Sequence, residues 1–276
     1  MSVSVTIVVE NTAQRDDLAT EHGLSMYIES EGTHILFDTG QGQALEGNAE
    51  TLGIDLSRTD VLILSHGHYD HTGGIPTLMR VAPHVQVYAH PQVNVPRYAI
   101  REGRARSIGI PAAAADALEA IPDAHLHMVR EPRMLTSSIG MTGPVPRITT
   151  YEDTGGPFFL DSQGERPDPI DDDMALWIAT DEGLVVCLGC AHSGVVNTLE
   201  HITRVTGEAR IRAVIGGLHL MNAGRERMDS TIAALRRLAP QRLFPCHCTG
   251  ESAVKALRRA LGDSVTPGTA GATYRF

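Results

Sequence analysis

Four apolar runs in this chain each stop at small residues and a histidine, and that repeated ending constrains the fold more than any other feature. The first is Val61-Leu-Ile-Leu-Ser-His-Gly-His-Tyr-Asp-His-Thr-Gly-Gly74. The others are Leu184-Val-Val-Cys-Leu-Gly-Cys-Ala-His-Ser-Gly194, Ala213-Val-Ile-Gly-Gly-Leu-His219 and Arg242-Leu-Phe-Pro-Cys-His-Cys-Thr-Gly250. Short runs of β-branched and aliphatic residues bounded by turn formers read as buried strands. Open α/β folds collect their chemistry at the carboxyl ends of such strands. The pattern therefore predicts an α/β chain in which His66, His192, His219 and His247 stand at strand ends and converge.

The first run carries four metal-ligating side chains in six residues: His66, His68, Asp70 and His71. Gly67 permits the turn, and histidines two apart in extended chain project to one side, where both can grip one ion. Asp70 and His71 follow where the chain curls into a helix opened by Thr72-Gly-Gly-Ile-Pro76, and can face a second ion. Imidazole and carboxylate donors suit zinc, manganese or ferrous iron, in sites that catalyse rather than brace. A two-metal site is expected, with a water made acidic enough to attack at neutral pH.

His66-x-His68-x-Asp70-His71 after an apolar strand, preceded by Ile35-Leu-Phe-Asp-Thr-Gly40, resembles the metallo-β-lactamase superfamily. Glu21-His-Gly-Leu-Ser25, Gly189-Cys-Ala-His-Ser-Gly194, Gly216-Gly-Leu-His-Leu220 and Cys246-His-Cys-Thr-Gly250 are similar to one branch of it. Its members are named 7,8-dihydropterin-6-yl-methyl-4-(β-D-ribofuranosyl)aminobenzene phosphate synthase-like. The resemblance spans nearly the whole chain. It implies a four-layer αββα sandwich with a dinuclear metal centre at one edge of the paired sheets. It further implies His66, His68 and His192 on the first ion, and Asp70, His71 and His247 on the second. Many members carry a bridging aspartate after a strand that ends in glycine, and Cys190 takes that place here. A thiolate there would favour zinc, whereas a buried thiol would fill space. Asp38 is expected to support the metal loop by orienting a histidine or the turn.

Composition agrees with a soluble enzyme. The 276 residues are 42% apolar, enough for a substantial core in a single domain. A cytoplasmic protein is expected, because no apolar stretch is long enough to span a membrane and the first residues lack the basic flank of a secretion signal. A net charge of −10 argues against nonspecific nucleic-acid binding. The partner expected is a small-molecule substrate, with association into a homo-oligomer left open. Cys187-x-x-Cys190 is not expected to chelate structural zinc, since Cys187 lies in a strand where residues three apart face opposite ways. Disulfides are not expected either. In Asp38-Thr-Gly-Gln-Gly42, Leu45 stands where a dinucleotide loop needs its third glycine, so nucleotide binding is weakly indicated.

The regular alternation breaks down at about residues 92–173, read as a substrate-covering insertion. It contains Arg97, Arg101, Arg104 and Arg106, which suit a phosphate or carboxylate but fit an exposed charged face equally. Asp171-Asp-Asp173, ahead of a strand at Met174 to Ala179, could supply a further carboxylate to the site, with a solvated loop the favoured reading.

These residues together point to a metallohydrolase with a small, anionic, phosphoester-type substrate. Asp70 would orient the water, and His219 would be a general acid or substrate contact. The alternatives are a lactonase or other ester hydrolase, a dihydropterin-type synthase, and a non-hydrolytic metal-binding or redox protein.

Overall fold

The apolar runs are buried almost without interruption and form strands, and glycines and other turn residues end them. The computed structural model describes residues 2–276. In its first half the chain forms β1 (Val3–Val9), β2 (Ser25–Ser30), β3 (Thr33–Phe37), α1 (Leu45–Thr51), β4 (Val61–Ile63), α2 (Tyr69–Thr72), α3 (Ile75–Val81), β5 (Gln86–Ala89), β6 (Tyr98–Arg101), β7 (Arg104–Ser107), α4 (Ala112–Glu119) and β8 (Leu126–Met128). Then come β9 (Arg133–Met134), β10 (Ile139–Met141), β11 (Phe158–Phe159), β12 (Ala175–Thr180), β13 (Gly183–Leu188), α5 (Val195–Thr206), β14 (Ile211–Gly217), α6 (Arg225–Leu238), β15 (Arg242–Cys246), α7 (Glu251–Leu261) and β16 (Thr273–Arg275). The four apolar runs that end in histidine form β4, β13, β14 and β15, as expected. The curl after His68 begins at Tyr69, ahead of Thr72-Gly-Gly, and breaks at Gly73-Gly74.

The chain divides into two compact units. The first comprises the chain through Val129 together with Pro157–Asp168 and Thr269–Phe276. Its sheet has the order β16-β1-β2-β3-β4-β5-β8, with β3, β4, β5 and β8 parallel. One sheet face, including Leu36, Leu62, Leu64 and Val87, packs with Leu45 and Ala49 of α1, Ile75 and Leu78 of α3, and Ala114 and Leu118 of α4. The residues that alternate with these, such as Ile35, Phe37 and Ile63, are buried as well. Both strand faces are thus apolar, as the near-continuous runs require.

The second unit comprises Arg130–Gly156 and Pro169–Gly268. Its sheet has the order β15-β14-β13-β12-β10-β9, and β13, β14 and β15 are parallel. Helix α5 buries Val195, Val196, Leu199 and Ile202, one stripe at helical spacing, with Trp177, Leu184, Val186 and Val214 in the same core. Each such side chain contributes roughly 1.5–3 kcal/mol by leaving water. The 92–173 stretch is shared between the units: α4, β8 and the β6–β7 hairpin with β11 lie in the first, β9 and β10 in the second. Among the described residues, no helix is long and apolar enough to cross a membrane.

Parallel strands place their carboxyl ends along one sheet edge, and each unit uses that edge in the same way. In the first, β3 runs into Asp38, β4 into Ser65 and His66, and β5 into His90. In the second, β13 leads to Cys190 and His192, β14 to His219, and β15 to His247 and Cys248.

Candidate metal centre

The first unit's ligand loop is shaped by a close approach at Gly67. A Cβ there would lie 2.0 Å from the Val93 carbonyl oxygen, so the histidine loop lies directly against the following segment. The β6–β7 hairpin ties in at the same place: Tyr69 donates its N–H to the Ile108 carbonyl at 3.0 Å, and His68 bridges to Gly109. Phe158 packs on the His68 ring, with centroids 5.5 Å apart.

His66, His68, Asp70 and His71 are all buried. His66 Nε2 and His68 Nδ1 lie 3.0 Å apart, the kind of separation left between two nitrogens that each stand about 2.1 Å from one ion. Asp38 organises the set. Its carboxylate accepts the Ser65 N–H at 2.7 Å, the Ser65 hydroxyl at 2.6 Å and His71 Nδ1 at 2.7 Å. The Ser65 Oγ, having given its proton to Asp38, accepts from His66 Nδ1 at 2.9 Å. In the neutral rings this chain of bonds protonates Nδ1 of His66 and His71 and leaves both Nε2 lone pairs for a ligand. Asp70 Oδ2 lies 4.0 Å from His71 Nε2 and 3.2 Å from His22 Nε2. His22, part of the quoted Glu21-His-Gly motif, was not anticipated as a site residue.

The loop Asp38 to Ala44 is closed to phosphate. Glu21 fills it, its carboxylate accepting from the backbone N–H groups of Gln41 (2.7 Å), Gly42 (3.3 Å), Gln43 (3.0 Å) and Ala44 (3.1 Å). The chain's own carboxylate occupies the anion position at the start of α1.

In the second unit, Cys190, His192 and His219 offer a sulfur and two ring nitrogens within 4.8 Å of one another, and Cys190, His247 and Cys248 do the same with two sulfurs and one nitrogen. All five residues are buried. His192 Nδ1 donates to the Thr154 carbonyl at 2.8 Å, which in the neutral ring makes Nε2 the unprotonated nitrogen. The His192 and His219 rings lie 4.3 Å apart. Gly155 packs against His219, where a Cβ would meet the ring Cδ2 at 1.8 Å. Arg147 holds the His192 carbonyl oxygen at 2.6 Å, and is committed to that loop. Glu152 accepts the Val196 and Asn197 N–H groups at 2.9 Å at the start of α5. Burial nevertheless pushes its carboxyl up from the ordinary value.

Backbone conformation repeats across these strand ends. Asp38, Ala191, His219 and His247 have φ of 61°, 55°, 45° and 52°, a region that costs non-glycine residues free energy and clusters at functional sites.

Asp171–Asp173 departs from expectation. Asp171 is exposed, but Asp172 and Asp173 are buried, and Asp173 accepts the Ser193 N–H at 2.8 Å, pinning the loop after His192. Burial raises the Asp173 carboxyl to about 6. The arginines do not form one cluster. Arg97 is buried and paired with Asp168 at 3.1 Å, whereas Arg104 and Arg106 lie exposed on β7, with Arg106 over the Tyr69 ring at 5.2 Å.

All four cysteines are free and buried. Cys187 lies within β13, where burial pushes its thiol up to about 12. The Cys248 thiol donates to the Cys190 carbonyl at 3.6 Å; burial would raise it, but the neighbouring Cys190, His219 and His247 hold it well below the ordinary thiol value. This donor set of imidazoles, a carboxylate and thiols, preoriented through their remaining atoms, fits divalent transition metals.

The model of the metallo-β-lactamase superfamily matches residues 19–166. The chain is 30% identical over 248 residues to the 7,8-dihydropterin-6-methyl-4-(β-D-ribofuranosyl)-aminobenzene-5'-phosphate synthase of Methanocaldococcus jannaschii, covering 84% of this chain and 82% of that one. Among solved structures, Tm1679, described as a metal-dependent hydrolase of the β-lactamase superfamily, superposes with a TM-score of 0.83 at 28% identity, over 99% of this chain and 98% of that one. The zinc-bound PqqB of Methylobacterium extorquens shares the fold at a TM-score of 0.58 and 13% identity, over 98% of this chain and 99% of that one.

Proposed function

The chain belongs to the metallo-β-lactamase superfamily, and on that premise we propose that it is a metal-dependent hydrolase of a small anionic substrate, of the phosphoester type. The observation that carries this reading is the Asp38 relay, which turns the Nε2 atoms of His66 and His71 into preset ligands. The proposed metal ligands are His66, His68, Asp70, His71, His192 and His247, for two divalent ions, with zinc favoured over manganese or iron. Such ions supply Lewis acidity toward water and toward a carbonyl or phosphoryl oxygen.

The protein's residues supply orientation and proton transfer. Asp38, buried and accepting three hydrogen bonds, holds the ligand tautomers. Asp70 is the residue we assign to orient the attacking water. His219, held against Gly155 and beside His192, is the candidate general acid for the leaving group. The archaeal relative is named for a product bearing a 5'-phosphate, which supports an anionic substrate.

That same name favours a second reading, a synthase that joins a dihydropterin to an aminobenzene ribofuranosyl phosphate. The two separate in one experiment. Metal-replete protein and its His68→Ala variant are assayed on phosphodiesters, phosphomonoesters and lactones, and on a dihydropterin that carries a phosphate-ester leaving group on its 6-methyl carbon, mixed with the aminobenzene ribofuranosyl phosphate that would displace it. Hydrolysis of a phosphoester that falls at least about 100-fold in the variant is expected. Condensation without hydrolysis would move the assignment to the synthase, and lactone turnover alone would move it to an ester hydrolase.

A further inference from the structure

The ligand set proposed above holds no sulfur, yet the second unit brings two sulfur atoms and an imidazole together. Cys190 Sγ, Cys248 Sγ and a ring nitrogen of His247 all lie within 4.8 Å of one another, and all three residues are buried. His219 shares a second such group with Cys190 and His192. Cys190, His219, His247 and Cys248 come from the ends of three adjacent parallel strands, so the sheet register itself brings them together.

Gly217 shows that the approach is built into the backbone. A Cβ at that position would lie 2.5 Å from Cys248 Sγ and 3.3 Å from Cys190 Cα, so the end of β14 is bare where the Cys248 sulfur passes it. The turn that presents Cys248 is set by His247, which holds a left-handed φ of 52°. Two thiols that served only to fill space would not require imidazoles at donor distance. Cys187, buried in β13, is the space-filling thiol of this unit.

We infer that Cys190, His247 and Cys248, with His219 as the fourth donor, form a thiolate-bearing site for a thiophilic divalent ion such as zinc. The metal–sulfur bonds of such a site are about 2.3 Å and the metal–nitrogen bonds about 2.0 Å, which puts neighbouring donors roughly 3.5 Å apart. Cys190, His247 and Cys248, whose donors already lie within 4.8 Å of one another, reach that arrangement by small side-chain adjustments, with His219 within the same distance of Cys190. Thiolates select zinc over manganese and magnesium, so this set would give the protein a metal preference that an oxygen and nitrogen shell lacks. The inference shares His247 with the ligand set proposed above, but it concerns ligation rather than turnover.

The test replaces the bound metal with cobalt(II) and reads the thiolate-to-cobalt charge-transfer band in the near ultraviolet. The band is expected in the wild type and in Cys187→Ser, and should be lost or strongly reduced in both Cys190→Ser and Cys248→Ser, with zinc affinity at least tenfold weaker in each. A cobalt spectrum with no such band, or a band that both serine variants leave unchanged, overturns the site. Where a serine variant fails to fold, X-ray absorption on zinc-loaded wild type decides. Two sulfur neighbours at about 2.3 Å support the site, and a shell of nitrogen and oxygen alone overturns it. A protein that hydrolyses nothing yet shows the sulfur shell keeps this site and loses the hydrolase reading. Turnover on a sulfur-free shell does the reverse.

Discussion

Asp38 Oδ2 lies 2.7 Å from His71 Nδ1, with both side chains fully buried. The same carboxylate takes both the backbone and hydroxyl protons of Ser65, so one residue at the end of β3 sets the ligand loop at the end of β4. In Asp38→Asn the amide cannot accept all three donors, and its own NH₂ would face one of them. Metal affinity is expected to fall roughly 10–100-fold, read by chelator competition and metal content. A variant that keeps wild-type affinity while remaining folded would refute the orienting role.

The Val93 carbonyl sits where a side chain at residue 67 would begin. Gly67→Ala should therefore cost about 1–3 kcal/mol through overpacking, seen as a lower denaturation midpoint. Gly47, inside α1 with nothing within 4 Å of its would-be Cβ, provides the contrast. Gly47→Ala should be neutral or stabilise by up to about 1 kcal/mol.

Glu21 closes the Gln41–Ala44 turn with one carboxylate. Glu21→Ala leaves those N–H groups to water and removes a negative charge from the start of α1. A loss of about 1–3 kcal/mol is expected, with hydrogen exchange accelerating at residues 41–44 ahead of the rest of the unit. Uniform exchange across the unit would count against the capping role.

Asp173 gives a pH signature. Burial raises its carboxyl in the folded protein to about 6, against an ordinary value of 3.8. Between those values the folded state binds the proton that the unfolded state has released. Its contribution is thus fully present below about pH 4 and is lost as pH rises through about 6. The size is on the order of 3 kcal/mol. Unfolding measured from pH 4 to 7 should show a downward slope in the wild type that Asp173→Asn flattens; parallel curves would contradict the assignment.

Much of the candidate site was legible because its residues are local in the chain. His66, His68, Asp70 and His71 occupy six residues, and the apolar runs before them and before His192, His219 and His247 are strands as expected. Asp38 was also visible, as a polar residue ending an apolar run. What stayed hidden depends on distant partners. Glu21 acts on N–H groups some twenty residues onward, and nothing in its own neighbourhood marks a cap. Asp173 reads as part of an acidic loop until its bond to Ser193 is seen. Arg97 is drawn out of its apparent cluster by Asp168, about seventy residues later. Cys248 had a visible neighbour in His247, but its closeness to Cys190 comes from strand order, which spacing along the chain does not encode.

The left-handed backbone at Asp38, Ala191, His219 and His247 limits how this site can drift. Histidine, asparagine, aspartate and glycine tolerate that region, whereas β-branched residues are outliers there. Exchanges at 219 and 247 are thereby steered toward glycine, asparagine and aspartate, and away from valine, isoleucine and threonine. The main chain, ahead of any metal or substrate, already filters which substitutions the fold will accept at its strand ends.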